Sequence, residues 1–124
     1  MKKSDNLVKG RLGETLAAEY LENLGWIVLA RNVRTPYGEL DIIAQKGQEV
    51  LVVEVKLRTT KEFGYPEAAI TRTKAKHLME SAVYYFQANP QHGENWRIDV
   101  IAIEKRLNGQ SEIVWFENAV SDIS

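Results

Sequence analysis

Residues 39–56 read Glu39-Leu40-Asp41-Ile42-Ile43-Ala44-Gln45-Lys46-Gly47-Gln48-Glu49-Val50-Leu51-Val52-Val53-Glu54-Val55-Lys56. Two runs of strand-forming residues flank a short polar break, and Gly47 can supply the positive φ of a two-residue hairpin turn. Side chains alternate along a strand, so Glu39, Asp41 and Ile43 share one face, and Val52, Glu54 and Lys56 share one face of the next strand. With Gly47 and Gln48 as the central turn residues, Ile43 stands opposite Val52, Asp41 opposite Glu54, and Glu39 opposite Lys56. The two carboxylates then have Cβ atoms about 4.5–5.5 Å apart.

Glu39 against Lys56 is an ordinary cross-strand salt bridge. Asp41 against Glu54 is a like-charge pair, destabilising on a sheet unless a cation or a proton relieves it. Glu54 also interrupts Val50-Leu51-Val52-Val53-Glu54-Val55, a run apolar on both faces as a central strand is, where an unpaired charge is costly. We therefore read Asp41 and Glu54 as holding a divalent cation; oxygen ligands about 2.0–2.1 Å away suit Mg²⁺. Lys56 shares Glu54's face and has two readings. It orients an attacking water or stabilises charge on a phosphate oxygen, or it only bridges Glu39.

Outward from this hairpin, Leu16, Ala17, Tyr20, Leu21 and Leu24 recur at helical spacing within a helix over 12–24, which Gly25 stops. Glu14 falls on the inward edge of that helix, where it reaches the sheet or stays a solvated edge carboxylate. Residues 26–30 form a first strand, and Thr35-Pro36-Tyr37-Gly38 has the chemistry of a turn. After a loop containing Tyr65-Pro66, Ala75, Leu78, Met79, Ala82, Val83 and Phe86 mark a helix over 71–87. Strands over 96–103 and 112–116 follow, joined by an Asn108-Gly109 turn. Three hairpin-linked strands followed by a helical crossover imply a mixed sheet, covered by helices, with a right-handed crossover.

The 124 residues suit one domain spanning 1–124, and 44% hydrophobic with 27% charged residues is a globular composition. The absence of cysteine removes disulfides, thiolate zinc sites and a cysteine nucleophile, and two histidines cannot build a histidine-rich site, so any metal is held by oxygen. No apolar stretch approaches the roughly 18 residues of a membrane helix, so the cytoplasm is the expected location. Net charge is -1, yet segments 1–13 and 56–76 carry surpluses of +3 and +4. Such local surpluses are either solvated faces or a footprint for nucleic acid. Asp99 within Ile98-Asp99-Val100-Ile101 reads as a structural hydrogen-bonding group, His77 and His92 are not assigned to the metal, and Tyr84-Tyr85-Phe86 reads as core and flank of a helix more readily than as a base-stacking platform.

Gly38-Glu39-Leu40-Asp41, Val53-Glu54-Val55-Lys56-Leu57-Arg58, Gly13-Glu14 and Arg97-Ile98-Asp99-Val100 together resemble the YraN-like bacterial family. More broadly the chain is similar to restriction-endonuclease-like nucleases and archaeal Holliday junction resolvases. The resemblance covers nearly the whole chain. It implies an α/β fold with a restriction-endonuclease-like α-β-β-β-α-β core, a mixed sheet flanked by helices. It also implies a DNA endonuclease dependent on Mg²⁺ or Mn²⁺, acting on ordinary or branched DNA. Asp41 and Glu54 would bind the metal, the Val55 carbonyl would assist, Lys56 would act on the attacking water, and Glu14 would be a further metal or water ligand. Leu40 stands where many of these nucleases have a proline. Arg58, Arg72 and Lys74 would flank such a site and hold the phosphate backbone, or serve as ordinary surface cations. DNA is the expected partner, a homodimer is compatible with the resolvase likeness, and no organic cofactor is expected. The competing expectation is an inactive nucleic-acid-binding or protein-binding module on the same fold.

Overall fold

The computed structural model describes residues 3–59, 70–105 and 108–120, with backbone alone for residues 3–10 and 59. Helix α1 spans Lys3–Asn23, strands β1, β2 and β3 span Ile27–Thr35, Gly38–Lys46 and Glu49–Thr59, helix α2 spans Arg72–Ala88, and β4 and β5 span Trp96–Lys105 and Ser111–Val120. One turn of 3-10 helix, Pro90–His92, precedes β4. The five strands form one sheet in the order β1-β2-β3-β4-β5. Neighbours are antiparallel except β3 and β4, which run parallel through the α2 crossover. This is the expected mixed sheet flanked by helices. The expected loop around Tyr65-Pro66 lies outside the described residues.

Local chemistry sets the boundaries. Gly25 adopts φ 97°, and the chain closes α1 with Trp26 N–H donating to Leu21 O and Gly25 N–H to Glu22 O, both at 3.0 Å. That paired closure needs a left-handed residue, which glycine supplies without steric cost. Lys46 Nζ donates to the Leu24 carbonyl at 2.8 Å, adding a cation at the helix's negative end. Thr71 caps α2, its hydroxyl accepting the Lys74 N–H at 3.0 Å. The first helix starts well before the expected residue 12, and β1 continues past residue 30, because neither extension has an apolar period that a sequence reading could register.

The sheet has two packed faces. Leu40, Ile43, Val50, Val52 and Ile98 pack against Ala75, Leu78, Ala82, Tyr85 and Phe86 of α2. Ile42, Ala44, Leu51, Val53, Ile101 and Ile103 pack against Ala17, Ala18 and Leu21 of α1. Each large aliphatic side chain buried this way contributes about 1.5–3 kcal/mol. β3 is the middle strand of five and is buried on both faces, as its uninterrupted apolar run required.

Gly47 has φ 62° at the first turn position, and the β2–β3 ladder runs in the expected register from Lys46↔Glu49 to Ile42↔Val53. There it stops. Leu40 packs on the α2 side with Ile43, whereas Ile42 and Ala44 pack on the α1 side, so alternation slips by one residue at Asp41. On the other flank, the β1 partners are Arg31↔Ile42 and Val33↔Leu40, and the intervening Asn32 takes φ 54°. The expectation that Glu39, Asp41, Glu54 and Lys56 share one face in consecutive rungs is therefore corrected. Glu39 does not stand opposite Lys56, because the strands part before that rung.

Candidate metal centre

The site lies where β2 and β3 separate. Asp41 Oδ2 accepts the Val55 N–H at 2.9 Å, the amide next in line for a β2 backbone carbonyl. A side chain thus closes the ladder, which fixes the Asp41 carboxyl in the gap between two strands. The N–H and C=O of a strand residue project to the same side, so the Val55 carbonyl opens toward this gap as well. Glu54 lies close enough for its charge to raise the Asp41 carboxyl. The break in alternation has not separated the two acids.

Glu54 arrives on the α2 side and is 4% exposed. Its Oε2 lies 3.5 Å from Lys56 Nζ and 3.5 Å from Lys74 Nζ, while its buried Oε1 has no hydrogen-bond partner. Glu14 arrives from α1 and is 8% exposed. α1 lies close to β3 here: a Cβ at Gly13 would be in ordinary van der Waals contact, 3.4 Å from Leu57 Cβ and 3.6 Å from Val55 Cγ1. Glu14 hydrogen-bonds the Asn32 side chain, and its Oε1 has only a long ion contact of 3.9 Å with Arg31. Ligand oxygens of Glu14, Glu39 and Asp41 lie within 4.8 Å of one another. Asp41 is therefore the shared member of two groupings, one with Glu14 and Glu39, one with Glu54.

Charge crowding shows in the titration of these groups. Burial, the Glu54 charge and the Glu14 charge push the Asp41 carboxyl up to about 7, against the lowering effect of the Val55 amide. Burial also raises Glu14, opposed by Asn32 and Arg31. Two buried carboxylate oxygens without donors, a set made only of oxygens, and an aspartate held up by burial and by its acidic neighbours fit a hard divalent cation. Asp41 and Glu54 would hold it, with Glu14, Glu39 or the Val55 carbonyl completing the set.

Of the four residues expected to act together, Glu14 and Asp41 meet in the carboxylate group that also holds Glu39, Glu54 lies near enough to Asp41 to act on its charge, and Lys56 meets Glu54. Lys74, expected along the phosphate backbone, instead touches Glu54 directly. Arg72 is exposed in the first turn of α2, two residues before it. Arg58 is 6% exposed and engaged within the fold, so its guanidinium is not presented at the surface as a backbone contact requires. Glu39, expected to pair with Lys56, lies 3.7 Å from Arg34 and joins the acid cluster. Asn32 was not anticipated, although an asparagine inside a strand is itself a signal, since it tolerates the left-handed conformation seen here. Asp99 is structural as expected, accepting from Arg97 Nε, Trp115 Nε1 at 2.7 Å and Asn118 N–H at 2.8 Å.

The model of the Uncharacterised protein family UPF0102 matches residues 13–103, a span that opens at Gly13-Glu14 and contains every acid of the cluster. This chain belongs to that family. With it the chain falls in the restriction-endonuclease-like superfamily, as the motifs implied. UPF0102 relatives include a protein of Mycolicibacterium vanbaalenii, 48% identical over 94 residues, covering 76% of this chain and 78% of the relative. A Sulfurihydrogenibium relative is 38% identical over 117 residues, covering 94% of this chain and 97% of its own. Among solved structures, the UPF0102 chain is similar to Pyrococcus furiosus SfsA in complex with Ca²⁺, with TM-score 0.41 and 15% identity, over 95% of this chain and 65% of that one. No helix among the described residues is long and apolar enough to cross a membrane.

Proposed function

We propose that this UPF0102 chain is a Mg²⁺-dependent or Mn²⁺-dependent endonuclease that hydrolyses DNA phosphodiesters, branched DNA included. The observation that carries this reading is the Asp41–Glu54 pair, with Glu54 Oε1 buried and lacking a donor. A bound cation would supply a more acidic water and neutralise charge developing on the phosphate. The chain's own residues do the rest. Asp41, held in the strand gap by the Val55 amide, and Glu54 would hold that cation. Glu14, closing the cluster from α1, can accept a proton from water. Lys56 Nζ, beside Glu54 and 32% exposed, can turn toward the phosphate and stabilise its charge.

Purified protein incubated with labelled linear, flap and four-way DNA in Mg²⁺ or Mn²⁺ should cleave at least one substrate, and an Asp41→Ala variant should lose that cleavage. Equal product from wild type and Asp41→Ala, or none from either, overturns the proposal.

One observation favours a second reading, a binding module whose acidic site is no longer used. Lys56 and Lys74 both lie on Glu54 and neutralise it without a metal. That module would keep its nucleic-acid affinity in Asp41→Ala and Glu54→Ala, show no turnover, and release no heat on Mn²⁺ titration.

A further inference from the structure

Tyr37 and Tyr84 are 46% and 45% exposed, and their rings meet edge to face with centroids 6.3 Å apart. They border a cavity of about 230 Å³ that Met79, Glu80, Val83 and Gln87 complete. Two exposed aromatic rings beside apolar side chains are not core, and their neighbours Tyr85 and Phe86 account for the buried side of α2. The pair is also held in place. Tyr37 sits in the β1–β2 turn, where its N–H donates to Thr35 Oγ1 at 3.1 Å, and the Thr35 hydroxyl lies 2.8 Å from Ser81 Oγ of α2 and 2.9 Å from the Gly38 carbonyl. Gly38 in turn rests against Ser81 and His77 of α2. The turn is pinned to the helix and the rings are presented by a rigid frame.

Two features connect this platform to the acid cluster. Tyr37 sits in the turn that leads directly into β2, the strand carrying Glu39 and Asp41. The helix carrying Tyr84 also carries Lys74, which touches Glu54. The two elements that carry the tyrosines also carry exposed cations: the Arg34 side chain, three residues before Tyr37, is 90% exposed, and Arg72 and Lys76 are exposed in the first turns of α2. Such cations suit a phosphate backbone, and Glu80 and Gln87 add polar groups to the cavity lining.

We propose, building on the nuclease reading, that Tyr37 and Tyr84 form a stacking platform for an unpaired nucleobase of the strand that is cleaved, which makes single-stranded or junction segments the favoured substrate. A paired base has its faces covered by its neighbours, whereas an unpaired one offers a free π-face to an aromatic ring. The platform therefore discriminates by strand pairing and not by sequence.

The test is binding of a fluorescent 20-mer oligodeoxythymidylate and of a hairpin duplex, in EDTA and in Ca²⁺, with circular dichroism to verify folding. Tyr37→Leu and Tyr84→Leu should each weaken single-strand binding about 5- to 150-fold, with duplex affinity changed less than about twofold. Tyr37→Phe and Tyr84→Phe, which keep the ring, should stay within about twofold of wild type. Unchanged single-strand affinity in both leucine variants, or an equal loss for duplex, overturns the platform while the nuclease reading stands. A change in sedimentation instead of binding assigns the patch to a second copy of the chain and also overturns it. A wild-type protein that binds neither oligomer in either buffer overturns both readings.

Discussion

Asp41 lies in a strand gap with Glu54 against it and Glu14 nearby, and its proton is retained to about pH 7. An acid whose folded pKa exceeds its unfolded value binds more protons when folded, so metal-free stability is highest at low pH and falls as pH rises from about 4 to about 7. The loss is on the order of a few kcal/mol, and Asp41→Asn should abolish most of it. Melting of the two proteins in EDTA at pH 5 and pH 8 checks this: the variant should be the more stable at pH 8 and nearly equal at pH 5. A cation reverses the sign, because it displaces the Asp41 proton. Mn²⁺ affinity should therefore drop about tenfold for each pH unit below 7, measurable by calorimetry at pH 5.5, 6.5 and 7.5. Glu54→Gln leaves one neutral oxygen where a charged ligand was and should weaken Mn²⁺ at least about tenfold. At this scale the closeness of Asp41 and Glu54 was legible in the two strand patterns, whereas Glu14 and the action of Lys56 on water were singled out only through the family resemblance. Glu39 was placed on the face of Asp41 but with Lys56 as its partner, and the role of Asn32 depends on a one-residue slip that its identity alone only hints at.

α2 places Lys74 on Glu54 and Tyr84 beside Tyr37, so its N-terminal cap matters for both. Thr71→Ala removes the acceptor for the Lys74 N–H and should cost about 1 kcal/mol in denaturant melts, with m unchanged. The β4–β5 pair is held differently. Asp99 is fully buried and accepts from Arg97, Trp115 and the Asn118 amide, the last at a bulge where Asn118 takes φ 52°. Asp99→Ala strands three donors and should destabilise by about 3–5 kcal/mol without changing Mn²⁺ affinity per folded molecule. Element order was readable because glycine stops, an alternating hairpin and one strong helical stripe each carry a local cause. Element lengths were less so: β1 runs on through Arg31, Asn32 and Arg34, whose polarity suits an edge strand and hides it from a search for apolar alternation.

Across the molecule, the two helices cover opposite faces of the sheet and each brings a side chain to the point where the middle strand parts from β2. Glu14 comes from α1, Lys74 from α2, and the acid pair from the sheet between them. The hairpin register followed from Gly47 and the two strand patterns. What it could not show is that the ladder ends one rung before Asp41, where the Asp41 carboxylate takes the Val55 amide. The cluster is thus a tertiary product of contacts far apart in sequence, and loss of either helix's packing should loosen it.

The central claim is that Asp41 and Glu54 grip one cation. Anomalous diffraction from Mn²⁺-soaked crystals tests it most directly: a peak within coordination distance of both carboxylates in wild type, absent in Asp41→Ala, is the result expected. Density elsewhere, or none at saturating Mn²⁺ with both acids ordered, contradicts it.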